Sequence, residues 1–178
     1  EIYTLSLHDA LPIFDDSIQL ERALTDPSRP VADKVAVLTE LLGDNVHPMT
    51  MEIMTDLVSR HWSRARDIAN AVEDFGVDAM MYYADATGAT LQVSVELSEL
   101  HSALLNLPVV RAKLYDYQAT SEARVKLFHE VFSGKTLNKV TMRLAEHATC
   151  NLRRRRYLET IQWLINKLSR HKIGRAHV

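Results

Sequence analysis

The apolar residues of this chain recur at steps of three and four, the spacing of one face of an α-helix. A first helix is predicted to end over 14–25, halted by the turn-rich run Asp26-Pro27-Ser28-Arg29-Pro30. Pro30 suits the first position of the next helix, where an amide N–H would have no partner. Val35, Leu38, Leu41 and Leu42 share one stripe, and Gly43 can take the left-handed conformation that closes it. Pro48 opens a third helix, striped by Met51, Met54, Leu57 and Val58. After a break near 61–63, a long helix is predicted from about Arg64 to Asp85, with Gly88 ending it. Its expected core face is Ile68, Val72, Phe75, Ala79 and Tyr82 or Tyr83.

The second half reads the same way. Leu97, Leu100, Leu104 and Leu105 stripe a helix over about 91–106. Pro108 starts a short helix carrying Val109, Val110 and Leu114, and the turn 116–120 brings Thr120 to the next N-cap. Val125, Phe128, Val131 and Phe132 form the following stripe, stopped by Gly134, and two more helices are predicted over 137–150 and 154–170. Strand signals are nearly absent: LQVSV at 91–95 alternates, but it is short and has no partner. The expected fold is all-α, two related helical bundles.

The relation between them is an internal repeat at an offset of about 90 residues. LERALTD (20–26) corresponds to VRAKLYD (110–116), and KVAVLTELL (34–42) to RVKLFHEVF (124–132). One inserted residue later Gly43 meets Gly134, and Thr50-Met51 meets Thr141-Met142. Further on, Ser63-Arg64-Ala65-Arg66 meets the run Arg153–Arg156, and Ile68 meets Leu158. Apolar positions, a breaker and a basic cluster keep step in order, which predicts a first unit over 14–88 and a second over 89–172.

The extreme ends fall outside that pattern. Back-translated, EIYTLSLHDALPI (1–13) and IGRAHV (173–178) resemble the two facing ends of a common sequencing adaptor, the second followed there by a stop codon. Glu1, His8 and Asp9 deny the first stretch the basic start and long apolar run of a signal peptide. Both stretches are expected to be adaptor-derived rather than native, leaving 14–172 as an internal fragment.

Composition narrows the function class. Apolar residues make up 47% and charged ones 25%, with only 5 Gly and 5 Pro, as in a helix-leaning globular chain. A formal net charge of −2 gives no overall attraction for a polyanion, so a dedicated nucleic-acid binder is disfavoured. No run approaches the roughly 18 apolar residues of a membrane span. The single cysteine, Cys150, excludes an internal disulfide framework.

Chemistry is equally sparse. Ser133-Gly134-Lys135-Thr136 holds Gly-Lys-Thr without the upstream glycine of a phosphate loop, and reads as a helix-ending glycine with polar neighbours. His47, His61, His101, His129, His147 and His171 are scattered; His147 and Cys150 share a face but two ligands do not hold zinc. No catalytic, cofactor-binding or metal residue is predicted. Arg153–Arg156 is the most conspicuous charged run, costly beside a helix N-terminus whose dipole is already positive. It reads either as a docking patch for an acidic partner or as a solvated edge partly neutralised by Glu159. Trp62 and Trp163 lie near comparable breaks and read as core anchors.

LSELHSALLNLPVVRAKL (97–114) is a helix followed by a segment of the form PxxRxxL, then ARVKLF (123–128), then the arginine-rich RRRRYL (153–158). This order resembles the helical N-terminal domain of the δ subunit of bacterial F-type ATP synthases. The first copy, with ALTDPSRP (23–30) and WSRARD (62–67), is similar to the related extra segment of longer actinobacterial-type δ chains. The resemblance covers essentially all of 14–172. It implies a non-catalytic stator at the cytoplasmic face of the bacterial membrane, without cofactor, metal or membrane span. Its implied partners are the N-terminal segment of an α subunit and the b stalk. The part of the family that contacts b follows the second bundle, so b binding is expected to be lost from this fragment. A helical-repeat scaffold with unrelated partners is the alternative reading.

Overall fold

The computed structural model of this chain describes residues 17–176. The stretch 1–13 expected to be adaptor-derived lies outside the described residues, as do the last two residues of the other. The described chain is all-helical and divides into two compact units, one up to Met80 and one from Met81. Among the described residues there is no strand.

The first unit comprises α1 (Ile18–Thr25), α2 (Val31–Leu42), a short 3₁₀ turn (Gly43–Asn45), α3 (Pro48–Ser59) and most of α4 (Arg66–Ala86). Local chemistry sets these bounds. The Ser17 hydroxyl accepts the Leu20 N–H at 3.1 Å and starts α1. Beyond its end, Asp26 Oδ1 accepts both the backbone N–H (2.9 Å) and the hydroxyl (2.7 Å) of Ser28, folding an Asx turn. The hydroxyl bond, then the backbone one, holds the Asp26 carboxyl below its ordinary value. Gly43 has φ 46°, outside the range favoured by residues with a Cβ, and there α2 stops. His47 Nδ1 accepts the Met49 N–H at 3.1 Å to cap α3, with Pro48 pre-set at its first position. The core centres on Leu24, Leu38, Leu42, Met54, Ile68 and Val72.

The second unit contains the rest of α4, then α5 (Thr90–Leu105), α6 (Pro108–Leu114), α7 (Ser121–Val131), α8 (Lys139–Cys150) and α9 (Tyr157–Ala176). Helix α5 lies along α9, and α7 along α8. The Thr120 hydroxyl caps α7 through the Ala123 N–H, and Asn138 Oδ1 caps α8 through Val140 at 2.9 Å. Phe128 and Phe132 stack tilted at 5.1 Å within a core that also buries Leu100, Leu144, Ile161 and Leu164. One buried cation organises the α6–α7 turn. Arg124, only 6% exposed, donates to the carbonyls of Thr149 (2.8 Å), Asp116 (3.0 Å) and Ala119 and to the Ser121 hydroxyl (3.2 Å). A buried guanidinium is tolerated because its forked donors meet fixed acceptors.

Several expected core positions face outward instead. Leu41 and Leu105 are exposed beside buried Leu42 and Leu104, because a stripe at a helix end narrows to the residues a neighbour covers. In α4, Phe75 (47%) and Tyr82 (61%) are exposed, while Ile68, Val72, Met80 and Ala84 are buried. The buried residues keep a step of four, which overshoots a 3.6-residue turn by about 40° each time. The buried face therefore winds around α4, and a stripe drawn at the ideal period leaves it. The 91–95 alternation lies inside α5, and α9 starts at Tyr157, three residues after the expected Arg154.

Candidate functional site

The residues with candidate chemistry are dispersed and structurally occupied. Lys135 of the Gly-Lys-Thr run lies in the exposed turn after α7 and pairs with Glu99 at 3.0 Å. His129 meets Glu146 at 2.8 Å, His171 meets Asp85, and His47 is the α3 cap. His147 is buried at the end of α8, and Cys150, half-buried, places its sulfur 3.8 Å from the Thr149 hydroxyl. Among the described residues no three His, Cys, Asp or Glu side chains gather into a metal-sized group.

The arginine run makes a more definite structure. Arg156 is the residue before α9, and its N–H is accepted by Glu159 at 3.1 Å, half of a capping box. Arg155 lies over the Trp163 ring at 3.7 Å, with Arg154 and Lys167 at 5.7 and 5.5 Å, and Arg156 lies 5.0 Å over Tyr115. Stacking on ring faces and the Glu159 carboxylate offset the cost of cations beside a helix N-terminus. Trp163 is thus half-buried under cations rather than sealed in the core. Trp62 is also half-buried, its Nε1–H donating to the Leu57 carbonyl at 2.8 Å.

Beside this run, two clefts flank α6. One, of about 730 Å³, runs from Pro108 and Val109 to the tyrosines of the α6–α7 turn. The other, of about 370 Å³, lies between α6 and the start of α9. They share Pro108, Ala112 and Tyr115 as a common wall. Tyr115 and Tyr117 meet edge-on at 5.0 Å with their hydroxyls 3.4 Å apart, a bond that raises the Tyr117 pKa. The Leu152 carbonyl, 3.3 Å from the Tyr117 hydroxyl, is an alternative acceptor for the same proton. The sequence pattern marks 116–120 only as a turn and gives no sign of either cleft. Exposed aromatics in a turn between Pro108 and the arginine run were the available signal.

These features define an all-α protein whose conspicuous surface carries open clefts, stacked cations and exposed apolar side chains. Among the described residues no helix is long and apolar enough to cross a membrane. Comparison with known proteins makes the class particular. Over 171 residues the chain is 91% identical to the ATP synthase subunit delta of Bifidobacterium longum subsp. infantis, covering 96% of this chain and 60% of that one. It is 71% identical over 159 residues to the subunit delta of Bifidobacterium adolescentis, covering 89% and 58%, and 34% over 149 residues to that of Corynebacterium jeikeium, covering 84% and 54%. The chain is homologous to ATP synthase subunit delta, and spans about three-fifths of the length of the relatives it matches. No family model matches it.

Proposed function

We propose that this chain acts as a non-catalytic stator segment of an F-type ATP synthase. In this reading it sits on the catalytic head at the cytoplasmic face of the membrane. There it binds the N-terminal segment of an α subunit and, as part of a whole δ subunit, helps join the head to the b stalk. The observation that carries the reading is the 91% identity to a protein named ATP synthase subunit delta. The physics suits the role. A stator resists torque without turnover, which asks for packed helices, and apolar-striped helices offer grooves to a partner helix.

The reading also takes the two units as copies of one helical unit. In support, Leu38 and Phe128 are buried at matching positions, as are Leu42 and Phe132. Asp26 and Asp116 each accept a backbone N–H two residues on, at 2.9 Å in both cases. His47 and Asn138 each cap the following helix in the same way.

Calorimetric titration of the chain with a synthetic peptide of the α-subunit N-terminal segment tests the stator role. Saturable binding at about micromolar affinity or tighter is expected. A folded sample that releases no heat and shifts no amide resonance on titration would overturn it.

A further inference from the structure

The two clefts beside α6 form a surface distinct in character from the rest of the second unit, and we infer that it docks an acidic amphipathic helix of another protein chain. The inference stands on the clefts themselves and goes beyond the stator reading.

Two observations fix the chemistry of the occupant. The first is apolar. Val109, 68% exposed, and Tyr117, 62% exposed, both line the larger cleft, which leaves two large side chains in water. A partner that lays an apolar residue between them removes that surface from solvent. The second is electrostatic, and it comes from which charges are already used. Both carboxylates on the cleft walls are engaged by this chain's own donors: Asp116 Oδ1 by the Gln118 N–H at 2.9 Å, Glu159 Oε2 by the Arg156 N–H at 3.1 Å. An amide donor leaves a carboxylate charged, but the three cations on the walls, Lys113, Arg111 and Arg156, outnumber the two carboxylates. The Lys113 side chain makes no hydrogen bond or ion pair with the described residues, and the Arg111 guanidinium reaches only the Leu105 carbonyl at 3.5 Å. Arg156 offers its guanidinium face to Tyr115, which leaves the N–H edge to fork a carboxylate. The clefts thus present spare positive charge around an apolar floor. Glutamates and aspartates flanking leucine-sized anchors complement that pattern. A basic helix would meet Lys113, Arg111 and Arg156 with like charge, and a purely apolar one would leave them unpaired.

Amide chemical-shift mapping on the whole labelled chain tests this. The probe is a synthetic helix of about four turns, with leucine along one face and glutamate on the other; the control replaces every glutamate with lysine. The expected result is saturable shifts confined to 109–118 and 156–159 with the glutamate peptide and none with the lysine peptide. Lys113→Glu should weaken the glutamate peptide's binding by roughly tenfold or more. Val109→Ala, a truncation of an exposed side chain that leaves the fold alone, should weaken it as well. Shifts that map elsewhere, equal binding of the lysine peptide, or unchanged affinity in both variants would overturn the inference. So would concentration-dependent shifts at 109–118 without peptide, since these would make a second copy of the chain the occupant. If the α-subunit peptide binds wild type, Lys113→Glu and Val109→Ala alike, the stator reading survives and this inference falls.

Discussion

At positions 90 residues apart in sequence the two units bury different side chains. Where the first unit buries Lys34, the second buries Arg124. The lysine, 5% exposed, makes no side-chain hydrogen bond or ion pair with the described residues, and acts on Asp26 only through its charge. The arginine gathers three carbonyls and a hydroxyl and so fixes the turn before its own helix. Leu38 and Leu42 in the first unit stand where Phe128 and Phe132 form an aromatic pair in the second. A small helical unit can thus be packed with either a flexible aliphatic interior or a more directional one. The second unit, with the directional interior, also carries the clefts beside α6.

The comparison can be broken at several points, and hydrogen exchange resolved along the chain reads each unit separately. The largest effect is expected in the aromatic pair. Phe128→Ala should destabilise the second unit by about 4 kcal/mol and Leu38→Ala the first by about 3. Equal protection in both units after Phe128→Ala would deny the aromatic pair its role. Next comes the buried cation. Arg124→Met leaves three carbonyls without their donor and should cost about 3 kcal/mol, whereas Lys34→Met should lie within about 0.5 kcal/mol of wild type. A costly Lys34→Met would show that the two positions work alike. Caps follow: Asn138→Ala should cost about 1 kcal/mol, and His47→Ala less, because Pro48 already pre-sets the first turn of α3.

The smallest effect near neutrality belongs to Tyr157. Its hydroxyl is buried without a partner among the described residues, and burial raises its pKa well above the ordinary tyrosine value. Tyr157→Phe should therefore be neutral or stabilising by up to about 1 kcal/mol at pH 7. The pH dependence has a definite sign. The unfolded tyrosine ionises near pH 10 while the folded one stays protonated, so wild-type folding stability is undiminished by this group below about pH 10 and falls as pH rises beyond it. The phenylalanine variant should lose less stability on alkaline titration. If its alkaline unfolding curve superimposes on that of wild type, Tyr157 is not the group responsible.

Much of this architecture was legible in the periodicity because caps and breakers are local. Pro30, Gly43, Pro48, Pro108 and Thr120 each sit within a residue of a helix end. What the pattern missed depends on neighbours distant in sequence. A stripe at 3.6 residues per turn puts Phe75 and either Tyr82 or Tyr83 in the core; Phe75 and Tyr82 are exposed and Tyr83 is half-buried, because the buried face of α4 winds at a step of four. Arg124 entered the repeat only as a counterpart of Lys34, because nothing in sequence spacing shows that the Thr149 carbonyl waits 2.8 Å from its Nε. The arginine run left two readings open. Stacking on Trp163 and Tyr115, which no linear pattern reveals, shows how the run is accommodated. The α6 clefts form only where α6, its following turn and the start of α9 come together, a juxtaposition that spacing along the chain does not encode.

The stator account is tested most directly by co-sedimentation of the chain with ATP synthase catalytic heads stripped of their own δ subunit. The account predicts saturable binding at one copy per head, competed away by intact δ subunit. A folded chain that stays in the supernatant at every head concentration would contradict it.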